Sequence, residues 1–104
     1  MAATLQVQTS SSIVSDIDAH MLKSGVVNSG WCVGITSDID ERLFGYHRVP
    51  RKNHWFIYRR AASCKEARAI EAAYHKVGCK GSGGGGDDSS CYVYAYVITP
   101  ATVE

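Results

Sequence analysis

The chain has 104 residues, of which 45% are hydrophobic and 20% are charged, and its formal net charge is +1. This length suits one domain over residues 1–104 with an ordinary globular core. No apolar run approaches the roughly 20 residues that a membrane span requires, and the first residues lack the basic and apolar regions of a signal peptide. We therefore expect a cytoplasmic protein without membrane association. Its cysteines are expected to be thiols, with a Cys79–Cys91 disulfide as the open alternative.

The first predicted element is an amphipathic helix over residues 10–23. Its apolar residues recur every four positions, at Ile13, Ile17 and Met21. One of the serines at positions 10–12 is expected to be its N-cap. Residues 1–9, which precede this helix, are expected to be flexible.

A strand is predicted over residues 30–36, where β-forming residues are frequent. Gly34 costs stability inside this strand, so we expect it to allow the close approach of another backbone or a ligand. Relief of crowding within the sheet is the simpler alternative. A short helix should follow, capped by Asp38 and ending near Gly45 or His47.

Two more strands and one helix are predicted in the second half of the chain. Residues 54–60 form a strand, and a capping box that begins at Ser63 opens a helix to about Val77. Residues 92–98 form a third strand, in which small aliphatic residues on one face pack on the helices and the other face carries Tyr92, Tyr94 and Tyr96. The predicted fold class is therefore α/β (α+β), with a small three-stranded mixed or antiparallel sheet and about three helices.

The segment of residues 81–90 is rich in glycine and polar residues, and it is expected to be a flexible loop. It matches the pattern G-x-G-x-x-G. That pattern binds dinucleotides when it follows a strand and opens a helix, whereas here it follows a helix and precedes a strand. We therefore do not expect a dinucleotide site.

Basic residues concentrate in the middle of the chain. The segment from Arg42 to Arg68 holds eight basic residues and one acidic residue, a local balance of +7. Aromatic residues are interleaved with them, a pattern typical of surfaces that bind phosphates and stack bases. A solvated basic face is the alternative. The sequence predicts binding of DNA or RNA through Arg48, Arg51, Lys52, Trp55, Arg59, Arg60, Lys65 and Arg68.

Residues 30–78 contain several short motifs in a fixed order. The strand reads V-G-I-T and is followed by D-I-D-E-R-L, which contains Arg42; His47 lies five residues later, and a following helix carries Glu71 in the run A-R-A-I-E. Together these motifs resemble the GIY-YIG nuclease superfamily. The resemblance implies a metal-dependent endonuclease in which Arg42, His47 and Glu71 are catalytic. Arg42 would stabilise charge on the phosphate and Glu71 would bind Mg²⁺. We expect Arg42 and Glu71 to converge on one pocket near Gly34.

The chain departs from the family pattern at the tyrosines. Cys32 occupies the position of the tyrosine in the second motif, and no strand with the first motif precedes it. We expect residues 92–98 to pair beside the strand that contains Cys32, in the place that the family gives to its first strand. One of two candidate catalytic tyrosines, Tyr94 or Tyr96, would then face Arg42. The alternative is that the tyrosines only pack over the sheet, in a non-catalytic module that binds nucleic acid or protein.

Overall fold

The computed structural model describes residues 6–81 and 91–103. It is an α+β structure built on a four-stranded mixed sheet, in the order β1-β3-β4-β2. The strands are β1 (Val7–Gln8), β2 (Trp31–Thr36), β3 (Phe56–Ala61) and β4 (Tyr92–Val97). β4 lies antiparallel to both β2 and β3, and β1 runs parallel to β3. The predicted class is confirmed, with one strand more than expected, and the predicted pairing of β4 beside β2 is also confirmed.

Three helices accompany the sheet within the described residues: α1 (Ser10–Ser24), a π-helix (Asp40–Tyr46) and α2 (Cys64–Lys76). A short 3₁₀ turn, Asn28–Gly30, leads into β2. Among these residues no helix combines the length and the apolar character that crossing a membrane requires.

The helix caps agree with the prediction for α2 and differ for α1. The Ser63 hydroxyl accepts a hydrogen bond from the Glu66 backbone N–H at 3.2 Å, as the capping box predicts. The N-cap of α1 is Thr9 rather than one of the serines, because Thr9 has extended backbone geometry and its hydroxyl accepts from the Ser12 N–H at 3.1 Å. The serines occupy the first turn of the helix.

The short helix after β2 is wider than an α-helix. Ile39 is the residue directly before it, and the predicted cap Asp38 lies one residue further back, where its carboxylate accepts a hydrogen bond from the Glu41 N–H at 3.1 Å. At its end the His47 N–H donates to the Arg42 carbonyl, five residues back, at 3.0 Å. Such π-helical turns are rare and occur frequently at functional sites.

The two faces of the sheet are covered differently. The aliphatic face of β4, which carries Val93 and Ala95, packs under α1 and α2, as predicted. The tyrosine face is buried under the π-helix, where Leu43 packs with Tyr94 and Tyr96. Because successive residues of a strand point to opposite faces, β2, β3 and β4 each contribute to the core on both sides of the sheet.

Three further expectations can be compared with the structure. Residues 1–9 were expected to be flexible, and within them Val7–Gln8 form a short strand that pairs in parallel with Arg60 and Ala61. All four cysteines fall in the described part of the chain and remain unbridged, so the alternative Cys79–Cys91 disulfide is not formed. The predicted glycine-rich loop lies, apart from Gly81, outside the described residues.

A candidate active site between the π-helix and the sheet

A cavity of about 340 Å³ opens between the π-helix, the tyrosine face of the sheet and α2. Arg42 reaches it from the π-helix, Glu71 from α2 and Tyr94 from β4, and Gly34 of β2 forms part of its wall. His47, which directly follows the π-helix, also lines it. The predicted convergence of Arg42 and Glu71 near Gly34 is therefore confirmed, while the chemical roles of these residues stay predictions.

Gly34 makes room for a tyrosine side chain. It is the register partner of Tyr94 in the antiparallel pair of β2 and β4. A Cβ atom at position 34 would overlap the hydroxyl and the ring of Tyr94. The group that approaches is a side chain rather than a backbone or a ligand, so Gly34 relieves crowding within the sheet, which was the simpler of the two alternatives.

A hydrogen-bond network connects two tyrosines through His47. The Tyr94 hydroxyl lies 2.7 Å from His47 Nε2, and the Val103 carbonyl lies 2.6 Å from His47 Nδ1. A carbonyl can only accept, so Nδ1 carries the proton, and in a neutral imidazole Nε2 then accepts from Tyr94. The Tyr96 hydroxyl donates to the same Val103 carbonyl at 3.1 Å and lies 2.9 Å from His47 Nδ1. The network therefore orients His47 toward Tyr94.

Tyr94, rather than Tyr96, is the tyrosine that faces Arg42. Tyr94 lines the cavity, whereas Tyr96 is fully buried behind His47. Burial raises the pKa of Tyr94 to about 12, although the neighbouring Arg42 guanidinium opposes the shift; Cys32 and Glu71 add to it. Tyr94 is therefore a protonated phenol at neutral pH.

Glu71 is a buried acid that faces the cavity. It lies on the buried stripe of α2, which also includes Ala67, Ile70 and Tyr74, and only 5% of it is exposed. Within the described residues its carboxylate has no hydrogen-bond or ion-pair partner. Burial raises the pKa of this carboxyl, against the opposing charges of His75 and Arg68.

Two residues at the cavity, Tyr46 and Lys80, were not among the sequence candidates. Tyr46 is the last residue of the π-helix, and the Arg42 guanidinium lies 4.4 Å from the centre of its ring. The Lys80 backbone is bonded to the outer edge of β2, with its N–H 2.8 Å from the Trp31 carbonyl and its carbonyl 2.9 Å from the Val33 N–H. Lys80 lies outside the basic segment of residues 42–68, so charge clustering could not single it out.

The predicted nucleic-acid-binding residues in β3 and directly before it are divided between the two faces of the sheet. Arg60 pairs in register with Tyr92 on the tyrosine face. Arg59 points to the other face, where its Nε lies 3.1 Å from an Asp16 carboxylate oxygen. Trp55 also lies on that side, with its ring centre 5.0 Å from that of His20. Arg59 and Trp55 therefore do not share a surface with the cavity.

The other predicted nucleic-acid-binding residues flank the π-helix and α2. Arg51 lies over the ring of Phe44 at 3.9 Å and forms an exposed ion pair with Asp40 at 3.2 Å. The remaining ones are exposed or half-buried and lie beyond the π-helix or on α2, namely Arg48, Lys52, Lys65 and Arg68. The structure thus divides the basic segment between at least two sides, and its role in nucleic-acid binding stays a prediction.

Glu71 is the one carboxylate that lines the cavity among the described residues. Over that part of the chain no group of three or more histidine, cysteine or acidic residues is arranged to hold a metal ion. A single carboxylate is a suitable ligand only for a hard cation that keeps several waters or shares its coordination with substrate phosphates, as Mg²⁺ does. Comparison with protein-family models, curated proteins and solved structures finds no significant match for this chain.

Proposed function

We propose that this protein is a divergent GIY-YIG-like nuclease that hydrolyses nucleic-acid phosphodiester bonds with the help of Mg²⁺. The observation that carries the proposal is the meeting of Arg42, His47, Glu71 and Tyr94 at one cavity. Arg42, Glu71 and Tyr94 come from three separate elements, and His47 directly follows the π-helix. The motif resemblance selects three of these four residues, namely Arg42, His47 and Glu71. A phosphate binder, a proton acceptor and a metal ligand are the groups that this reaction needs.

Arg42 is suited to bind the phosphate. Its guanidinium is always charged and presents donors in a planar fork that matches phosphate oxygens. The contact with the Tyr46 ring limits the conformations of this side chain. Lys80 adds a second positive charge at the cavity, so an anionic phosphate is favoured there.

Tyr94 and His47 are suited to move a proton. As the attacking water bonds to phosphorus, its proton passes to the Tyr94 oxygen while the Tyr94 hydroxyl proton passes to His47 Nε2, 2.7 Å away. The bond from phosphorus to the leaving oxygen breaks, and that oxygen takes a proton from solvent. Because the phenol gains one proton as it loses another, no free phenolate forms. This relay therefore agrees with a Tyr94 pKa of about 12.

Glu71 fits the proposed metal. Glu71 is only 5% exposed and faces the cavity, and a bound cation would offset the cost of holding a charged carboxylate there. Mg²⁺ when bound supplies neutralisation of charge on the phosphate and the leaving oxygen. Glu71 would hold it together with water and the phosphate of the substrate.

A second function, a non-catalytic module that binds nucleic acid or protein, is favoured by two observations. The pKa of Tyr94 is raised to about 12, whereas a tyrosine acting as a base by itself would need a lower value. The cavity also has a single carboxylate among the described residues. The two functions differ in whether metal-dependent cleavage occurs.

The test compares the three tyrosines of β4, which differ in their relation to the cavity. Tyr94→Phe, Tyr96→Phe and Tyr92→Phe are assayed with 5′-labelled DNA and RNA, single-stranded and duplex, in Mg²⁺ and in EDTA. We expect Tyr94→Phe to slow cleavage about 100-fold or more, because the relay loses its hydroxyl. Tyr96→Phe should slow it less, since Val103 still orients His47. Tyr92 does not line the cavity and is the matched control.

One result would contradict the proposed role of Tyr94, and another would contradict the nuclease proposal itself. Cleavage that persists in Tyr94→Phe would show that the tyrosines only pack over the sheet. Binding of nucleic acid without cleavage of any substrate in Mg²⁺ would support the non-catalytic module instead.

A further inference from the structure

We propose that the cavity takes single-stranded nucleic acid, with the base beside the scissile phosphate stacked on the ring of Tyr46. The inference rests on the proposed function for the binding of a phosphate by Arg42, and it adds the class of substrate, which is single-stranded nucleic acid. It comes from the exposure and the surroundings of Tyr46.

Tyr46 is an aromatic residue held at the surface of the cavity. About half of it, 51%, is exposed, although it lines the cavity. The Arg42 guanidinium covers part of the ring at 4.4 Å from its centre. The His47 ring contacts it edge to face, with the centres 4.9 Å apart and the planes at 87°. These contacts orient the ring while leaving much of its apolar surface in water, which is the arrangement expected of a stacking residue.

Arg42 connects the phosphate position to the stacking position. The same guanidinium lies over Tyr46 and beside the Tyr94 hydroxyl. A phosphate bound by Arg42 near Tyr94 therefore has Tyr46 as its neighbour. Within one nucleotide the phosphate and the base are also close together. A single nucleotide can therefore contact Arg42 through its phosphate and Tyr46 through its base.

The shape of the site selects an unpaired strand. A cavity of about 340 Å³ is at the small end of ligand pockets and suits one nucleotide rather than a groove-spanning contact. In a continuous duplex both faces of each base are covered by neighbouring bases, so Tyr46 could not reach them unless a base were flipped out. In a single strand the base faces are available, and every base has one.

The test measures binding without cleavage. Fluorescence anisotropy in EDTA compares a fluorescein-labelled oligodeoxythymidylate with a blunt hairpin duplex that has the same number of phosphates, at one salt concentration. The proteins are the wild type, Tyr46→Ala and Tyr46→Phe. Leu22→Ala is the control, because Leu22 is also a large exposed apolar residue but lies on α1 and does not line the cavity.

We expect the wild type to prefer the single strand. Tyr46→Ala should weaken binding of the oligodeoxythymidylate roughly tenfold, while Tyr46→Phe keeps wild-type affinity because stacking needs the ring and not the hydroxyl. Leu22→Ala should also keep wild-type affinity, because Leu22 does not line the cavity. Circular dichroism melting verifies that each variant is folded. If Tyr46→Ala does not fold, the single-strand preference of the wild type still tests the inference.

The outcomes separate this inference from the proposed function. A hairpin that binds as tightly as the single strand, or a Tyr46→Ala affinity equal to that of the wild type, overturns the stacking inference and leaves the nuclease proposal standing. Failure of both probes to bind at low salt overturns the proposed function, and the inference with it.

Discussion

Replacing Glu71 by glutamine should stabilise the protein while abolishing its proposed activity. The substitution keeps the shape of the side chain and removes its charge at a position that is 5% exposed. Burial raises the pKa of this carboxyl above its usual value of 4.5 in the folded state. The folded protein therefore holds the Glu71 proton more tightly than the unfolded chain does.

The sign of the pH dependence follows from this difference. Below the unfolded pKa, Glu71 is protonated in both states and has no effect on stability through its charge. As the pH rises through the interval up to the folded pKa, the unfolded chain releases the proton first, so the free energy of unfolding falls. Above the folded pKa the loss is complete, and it persists at neutral pH.

The size of the effect is set by the pKa shift. Each unit by which folding raises a pKa corresponds to about 1.4 kcal/mol. Glutamine at this position recovers part of the stability that the ionised Glu71 costs, because a neutral amide costs less to bury than a charge. It does not recover all of that stability, because the amide is still polar. We expect Glu71→Gln to raise stability at pH 7 by about 1 kcal/mol, which for a domain of this size is an increase of roughly 4 °C in Tm.

Thermal unfolding of the wild type and of Glu71→Gln between pH 4 and pH 8, followed by circular dichroism in EDTA, measures the effect. The gain should be greatest at pH 7 and above and should shrink toward pH 4. Glu41→Gln is the control, because this substitution removes the same charge from the protein and Glu41 is exposed on the π-helix. A variant that melts below the wild type at pH 7, or a gain that is the same at pH 4 as at pH 7, would refute the reasoning.

Two shorter predictions concern the sheet. Gly34→Ala should destabilise the fold by about 1–3 kcal/mol in urea unfolding, because the added methyl group overlaps the Tyr94 ring; a loss of less than half a kcal/mol would mean that Tyr94 moves aside without cost. Arg60→Ala should weaken nucleic-acid binding and flatten its salt dependence, whereas Arg59→Ala should not, since Arg59 lies on the opposite face in an ion pair with Asp16. Equal effects of the two arginine variants in a salt titration would show that the cavity side is not the binding side.

The long periodic elements could be predicted from the sequence because many residues repeat the same signal. The apolar stripe of α1 and the capping box of α2 each define a helix locally. β1 could not be predicted, because its two residues are too few for an alternating pattern and it exists only through pairing with β3. The π-helical form of the helix over Asp40–Tyr46 depends on which carbonyl the His47 N–H reaches, and composition does not determine that.

The candidate site was predictable where motifs mark it and not where the fold assembles it. Arg42 and Glu71 stand in recognisable runs, and their convergence followed from the expected order of elements. Lys80 joins the cavity only because its backbone pairs with the edge of β2. The basic segment looks continuous in sequence, but in a strand adjacent residues point to opposite faces, so Arg59 and Arg60 are separated by the sheet itself.

The strand order also determines when the cavity can come into existence. β2 and β3 are not hydrogen-bonded to each other, since β4 lies between them, and β4 follows both in the chain. While the protein is being synthesised, α1 and α2 can form, but the two earlier strands have no shared partner until residues 92–97 have left the ribosome. Closure of the sheet is then a non-local step, which slows folding relative to contacts between chain neighbours. Because Tyr94 arrives on that strand, a nascent chain cannot form the cavity before its sheet is complete.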